Sequence, residues 1–279
     1  MSKTKLVLLG TAGGPTPKRG RSAPAQAVVV GDRSYLIDAG NGVARQLVTA
    51  GIPLNSLTAV GVTHHHSDHN TDLGAVVQLS WCADLERPVR LFGPPPLTEM
   101  MDHFARYADT DVSTRILDEG RPEFRRLLIA EDVLAQGPVY EDDRVRISAA
   151  RVNHPPMHAL AYRIDTDDRS IVISGDTTPC QELIDLADGA DVLVHEVMHL
   201  PSIEPLMLRT NGSRLRRHLL DSHTPVDEVG AVAERAGVPT LVLSHFVPSD
   251  PEVPDDIWRK EAQRGYSGTV VVGHDLMVI

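Results

Sequence analysis

The chain has 279 residues, 42% hydrophobic and 23% charged, a composition that excludes a disordered or fibrous protein and leaves one large domain or two small ones. With 38 acidic against 27 basic residues the net charge is −11, which disfavours broad binding of a phosphate polyanion. Two cysteines are too few for a disulfide framework.

Lys5 to Leu9 reads as an apolar strand running into a Gly/Pro-rich loop, GTAGGPTPKRG. Its apolar part is too short for a signal peptide, and no run approaches the ~20 residues that span a bilayer, so a soluble cytoplasmic protein is expected. AVVVGDRSYLIDAG predicts two strands joined at Gly31-Asp32, and Val43 to Thr49 a helix. LTAVGVT is a buried strand ending in His64-His65-His66-Ser67-Asp68-His69, and Leu73 to Trp81 is helical. Met100, Met101, Phe104 and Tyr107 form a stripe at near-helical spacing, read as core or dimer contact. RVRISAARVNH, HALAYRIDT and SIVISGDT are strand-like, Gln181 to Ala187 is a short helix and DVLVHE a strand. Thr224 and Pro225 open a helix, with Thr224 as its cap and Gly237 as its close. TLVLSHF is a strand, Asp255 to Gln263 a helix, and TVVVGHDLMVI a terminal hairpin. Strands and helices in both halves predict an α/β layered sandwich with helices outside two sheets.

The histidine cluster carries the chemistry. Alternation along an extended segment sends His64 and His66 to one side and His65 away. Asp68 and His69, on the following turn, can face a second point a few Å off. Two imidazoles for one cation and a carboxylate with an imidazole for another suit a two-metal hydrolytic site. Further ligand types stand where apolar strands stop: His154, Asp176 and His245. His195-Glu196-Val197-Met198-His199 spells H-E-x-x-H, but that motif needs a helix to bring its histidines to one face. Here it continues a β-type run and meets Pro201, so a zincin peptidase is excluded.

The pattern H-x-H-x-D-H, then a distant His, an SGDT Asp and a late strand-end His, resembles the metallo-β-lactamase superfamily. LLGTAGGPTPKRGRSAPA, YLIDAGNG, RPVRLFGPPPL, HALAYRI, ISGDT, DVLVHE and SHTPVDEVGAVAERAGVPTLVLSHF narrow the likeness to its ribonuclease Z and arylsulfatase-like branch. The resemblance implies an αββα four-layer sandwich over residues 1–279, with two similar αβ halves meeting near 135–140 and the metals at one edge. It implies that His64, His66 and His154 hold one Zn2+, that Asp68, His69 and His245 hold a second, and that Asp176 bridges; Mn2+ or Fe are alternatives to zinc. It also implies that His223 protonates the leaving group and that Glu196 orients His223. Asp68, both ligand and hydrogen-bond acceptor for the nucleophile, is the proton-handling residue. A homodimer is what the family suggests.

Two metals about 3.5–4 Å apart bring the pKa of a shared water near 7, so the reaction expected is hydrolysis by a metal-bound hydroxide. For the substrate, the chain departs from the tRNA-maturing members, which carry a long arm between the third His and the bridging Asp. HALAYRIDTDDRSIVISGD fills that interval here with two strands and leaves no room for an arm. Together with the negative charge this argues against nucleic acid. Residues 198–222, rich in Met, Leu and Arg, read as a lid whose apolar character favours a small organic substrate: an ester, lactone, aryl sulfate or phosphodiester. The one basic clump, Arg209, Arg214, Arg216 and Arg217, reads as a solvated helix face. A ribonuclease Z-like phosphodiesterase or endoribonuclease is the rival reading. An iron-dependent oxidoreductase on the same scaffold is a rival of another class.

Overall fold

The computed structural model describes residues 3–208, 210–249 and 253–279; Arg209 of the basic clump lies outside them. Its strands are β1 Lys5–Gly10, β2 Ala25–Val30, β3 Arg33–Ile37, β4 Leu57–Gly61, β5 Val89–Gly93, β6 Leu128–Asp132, β7 Gly137–Glu141, β8 Val145–Val152, β9 Ala159–Thr166, β10 Ser170–Ile173, β11 Val192–Met198, β12 Thr240–Val247, β13 Thr269–Val272 and β14 Met277–Val278. Its helices are α1 Val43–Thr49, α2 Ser67–Asn70, α3 Leu73–Cys82, α4 Leu97–Tyr107, α5 Asp109–Glu119, α6 Gln181–Ala187, α7 Glu204–Met207, α8 Leu215–Ser222, α9 Val226–Arg235 and α10 Asp255–Ala262.

The strands form two seven-stranded sheets, ordered β14-β1-β2-β3-β4-β5-β6 and β13-β12-β11-β10-β9-β8-β7. Both follow one plan: antiparallel pairs at one end and parallel strands at the other. Strand alternation decides which side chains face which layer. Along β1, Leu6 and Leu8 enter the core between the sheets, while Val7 and Leu9 turn outward to a core shared with α1, α3 and α4. In the second sheet Ile171 and Ile173 face inward, and Val172 packs outward with α6, α9 and α10. The product is the expected α/β sandwich of four layers. The ends of β4 in the first sheet and β8 in the second meet at one edge, where the histidine cluster lies. Among the described residues no helix is long and apolar enough to cross a membrane.

Two local expectations fail for tertiary reasons. The terminal hairpin does not form: β13 pairs parallel with β12 in the second sheet, and β14 pairs antiparallel with β1 in the first. The turn between them is anchored by Asp275, which accepts hydrogen bonds from the Thr11 amide and hydroxyl and the Ser22 amide. The chain end therefore ties the two sheets together. Nor does Thr224 cap α9. Its hydroxyl donates 2.6 Å to the Thr177 carbonyl, and Pro225 occupies the cap position. Met101 packs in the first outer core with Met100 and Phe104 against it, and Tyr107 is exposed.

At the edge opposite the cluster, Asp142 joins the sheets. It accepts hydrogen bonds from the Tyr35 and Tyr140 hydroxyls, both at 2.8 Å, from Arg33 at 2.9 Å and from the Arg144 and Val145 amides. Burial acts to raise this carboxyl, but the hydrogen bonds outweigh it and hold the pKa below the usual range. Asp142→Ala is expected to cost about 2–3 kcal/mol, because the Tyr35 hydroxyl loses its partner in the interior. A depressed carboxyl stabilises at pH values above its unfolded pKa of about 3.9 and loses that contribution as pH falls through the lower folded value. Urea melts should show the full gap between wild type and variant at pH 7 and a narrowed one at pH 3. A gap independent of pH would mean the carboxylate charge contributes nothing.

Candidate metal centre

The cluster starts where β4 stops. Thr63 follows the strand and is held by Asp38, whose carboxylate accepts from the Thr63 amide at 2.8 Å and hydroxyl at 2.9 Å. Asp38 itself sits at φ 65°, a left-handed conformation that aspartate adopts more readily than most residues. His64 and His66 then point together: His64 Nε2 lies 2.9 Å from His66 Nδ1. His65 points away, its Nε2 2.6 Å from the Pro94 carbonyl. His154, after β8, brings its Nε2 to 3.1 Å from the same His66 nitrogen. Asp68 and His69 are buried on α2.

His245 reaches the site through an irregularity. Glu196 pairs with Ser244 and Val197 with Phe246, so His245 is the extra residue of a bulge in β12, at φ 47°. A bulge re-aims one side chain out of the strand's alternation. It brings His245 Nε2 to 3.2 Å from His69 Nε2 and 3.5 Å from Asp68 Oδ2. Asp176 enters through Gly175, which turns at φ 60° where a Cβ would come within 2.8 Å of the Leu160 carbonyl. Asp176 is 2% exposed, and its oxygens lie 3.7 Å from His64 Nε2, 3.4 Å from His69 Nε2 and 3.3 Å from His245 Nε2.

Thus ligand types converge: His64, His66, His154 and Asp176 form one group and Asp68, His69 and His245 another, and His223 overlaps them in two further groups, with Asp176 and His245 and with His154 and His218. The donor atoms fit cations. Ligands about 2.0–2.1 Å from a tetrahedral zinc stand roughly 3.4 Å apart, and the separations above scatter around that. Facing imidazole nitrogens at 2.9 and 3.1 Å cannot all carry protons. Asp176 Oδ1 is buried with no hydrogen-bond partner. Burial pushes the pKa of His64 and His66 down and that of His154 down to about 4, which leaves their lone pairs free. Against the same burial, Asp176, Asp38 and Asp68 draw positive charge to the second group and push the His69 pKa up.

Outer contacts fix the rings. His154 Nδ1 donates 2.9 Å to the Ser222 carbonyl, and His69 Nδ1 donates 2.7 Å to Asp38 Oδ2, so each presents Nε2 inward. The sequence reading misses Asp38. Its only signal is the position of YLIDAGNG at a strand end, next in space to the cluster but not in sequence. Asp38→Asn keeps a side chain that tolerates the left-handed backbone. It is expected to weaken metal binding 10–100-fold at the second group, as judged by metal titration. Wild-type affinity would show that His69 needs no carboxylate partner.

Beside the groups, His223 Nδ1 lies 2.9 Å from Glu196 Oε2, and Glu196 also accepts the Thr177 amide at 2.7 Å. Burial opposes charging of His223, but Glu196 and Asp176 lift its pKa to about 9. Glu196 extends from β11, so the H-E-x-x-H string forms no shared face: His199 instead contacts Ser202 at 2.7 Å. A cleft of about 740 Å³ opens over the centre. Gly13, Gly14, Thr16 and Lys18 line one side, and Leu206, Leu215, His218 and Leu219 form a roof. Arg216 and Arg217 sit on the exposed side of α8, paired with Glu204 and Asp221. His218 is a further cleft histidine that the sequence reading treats only as part of residues 198–222.

A model of the β-lactamase superfamily domain matches residues 33–246. A protein of Mycobacterium bovis named ribonuclease Z is 34% identical over 276 residues, covering 98% of this chain and 96% of that protein. Two solved structures share the fold. The metallo-β-lactamase fold protein YhfI from Bacillus subtilis superposes with a TM-score of 0.72 at 22% identity, over 99% of this chain and 98% of the other. The short form of human tRNase Z gives 0.71 at 18% identity, over 99% and 98%. These findings correct the argument against nucleic acid. The mycobacterial protein is matched over nearly its whole length, which leaves no room in it for a long extra arm. A compact interval between His154 and Asp176 therefore does not separate this chain from proteins bearing that name.

Proposed function

Because this chain belongs to the metallo-β-lactamase superfamily, in its ribonuclease Z branch, we propose phosphodiester hydrolysis as its reaction. It is a metal-dependent hydrolase. RNA is the phosphodiester that the relatives' name suggests, so ribonuclease activity is the finer reading. One observation carries it: ligand-type side chains from well-separated stretches of sequence converge in two groups around Asp176, next to the His223–Glu196 pair.

In this reading His64, His66 and His154 hold one zinc, Asp68, His69 and His245 hold the other, and Asp176 belongs to both. When bound, such a pair supplies Lewis-acid polarisation of a phosphoryl oxygen and a water of near-neutral pKa. Zinc suits the nitrogen-rich donor set, and manganese or iron remain compatible with it. The Asp68 carboxyl is held far below its usual range against burial by His69 and His245, so it stays ionised and accepts a hydrogen bond from the attacking water. His223, held by Glu196 through Nδ1, turns its other ring nitrogen to the cleft and donates a proton to the leaving oxygen. Lys18 offsets the phosphate charge, and the leucines of the roof limit access of bulk water.

A second reading rests on that roof. Leu206, Leu215 and Leu219 form an apolar wall that suits the organic arm of an ester, lactone or aryl sulfate. A panel separates the two: bis-p-nitrophenyl phosphate, a short RNA, phenyl acetate and a lactone, assayed with the protein's metal content measured in parallel. Hydrolysis of the first two with inertness to the others is the expected result. Turnover confined to phenyl acetate or the lactone would replace the phosphodiesterase reading with the second.

A further inference from the structure

Four histidines line the cleft. His66 and His245 fall in the proposed ligand groups and His223 in the acid pair, which leaves His218 without a role. It stands on α8, one turn before Ser222. That turn is pinned to the metal edge twice, by the His154 N–H on the Ser222 carbonyl and by the Ser222 hydroxyl on the Pro155 carbonyl at 2.8 Å. The His218 ring meets His66, His154 and His223 edge-on, with centroids 5.7, 5.6 and 5.8 Å apart. One ring nitrogen of His218 lies within 4.8 Å of one on His223. Its Nδ1 makes only a long contact, 3.4 Å, with the Ser222 hydroxyl, whose proton goes to Pro155, so the ring can carry its proton on Nε2 and donate from there to a ligand.

Two donors that each reach one oxygen at about 2.8 Å can stand at most about 5.6 Å apart, and these two nitrogens lie inside that limit. We propose that His218 and His223 clamp one oxygen of the bound phosphate group between them, the oxygen to which His223 passes its proton, His218 acting as a substrate-binding residue supplied by the roof helix. This rests on the phosphodiesterase reading. His223 comes from the wall of the sandwich and His218 from the roof, so a phosphoryl group bridges the two sides of the cleft. The half-buried His218 side chain remains reachable from solvent, as a group that meets the substrate must be.

The test uses inorganic phosphate as probe. Calorimetric titration of metal-loaded wild type, His218→Ala and His218→Gln is combined with metal analysis and with kinetics on bis-p-nitrophenyl phosphate. Expected are phosphate affinity about tenfold weaker in His218→Ala, the usual effect of one hydrogen bond to a charged group, and a KM raised by a similar factor. Metal content should stay at the wild-type level, and His218→Gln, which retains an N–H donor, should recover part of the affinity. Unchanged phosphate affinity in His218→Ala, no phosphate binding by wild type, or loss of metal from the variant would each overturn the proposal, the last making His218 a ligand. Absent phosphodiesterase turnover in wild type would sink the reading of function, while the phosphate titration would still decide the clamp.

Discussion

In an Asp176→Ala variant, turnover is expected to fall by about 10³-fold or more and bound metal to drop from two equivalents to one or fewer. The carboxylate is buried between both ligand groups, within 3.3–3.7 Å of His64, His69 and His245. A charge that holds two cations at once contributes several kcal/mol at the reacting centre, and each 1.4 kcal/mol is tenfold in rate. The fold should persist. Asp176 lies among the histidines of the centre and outside the apolar cores, and without it those imidazoles can shed their protons, so no buried charge need be left unpaired. Metal-free variant and metal-free wild type should therefore melt within a few degrees of each other. Added metal should raise the melting temperature more in wild type than in the variant, since a ligand stabilises the folded state with the logarithm of its concentration over its dissociation constant. Retention of both metals and of activity would remove Asp176 from the centre.

His223→Ala should lower kcat by about 10²–10⁴ on substrates with an alkoxide leaving group, the usual range for a positioned general acid. The loss should be much smaller on bis-p-nitrophenyl phosphate, because p-nitrophenolate leaves without a proton. Metal content should not change, since Glu196 takes His223 Nδ1 and neither proposed ligand set includes His223. Glu196→Gln should give the same pattern in milder form: it removes the charge that lifts the His223 pKa and leaves the ring in place. Equal losses on both kinds of substrate would reassign His223 from proton donor to a binding or structural role. Together the two variants separate metal holding from proton transfer.

The sandwich was legible because its causes are local. Runs such as LTAVGVT and SIVIS declare buried strands, and Gly237 ends α9 in the left-handed conformation that the end of a helix requires. Much of the centre was legible for a similar reason. His64, His66, Asp68 and His69 are bunched on one strand-to-helix turn, and strand alternation alone separates His65 from its neighbours.

Other features depend on segments far apart in sequence. Asp275 holds the N-terminal loop and so carries the last residues across to the first sheet, where local pattern suggests a hairpin. Thr224 looks like a cap, but the Thr177 carbonyl takes its hydroxyl first. Asp38 becomes a partner of His69 only when β3 and β4 pair, and His245 enters the site only because β12 bulges against β11. His218 reaches the cleft only through the docking of α8 on Pro155 and His154. Sequence by itself determined which chemistry this protein can carry, because ligand types and strand periodicity are written residue by residue. The tertiary structure decided which groups orient that chemistry and what meets the substrate, because those contacts are set by pairing register and helix docking, which no single segment encodes.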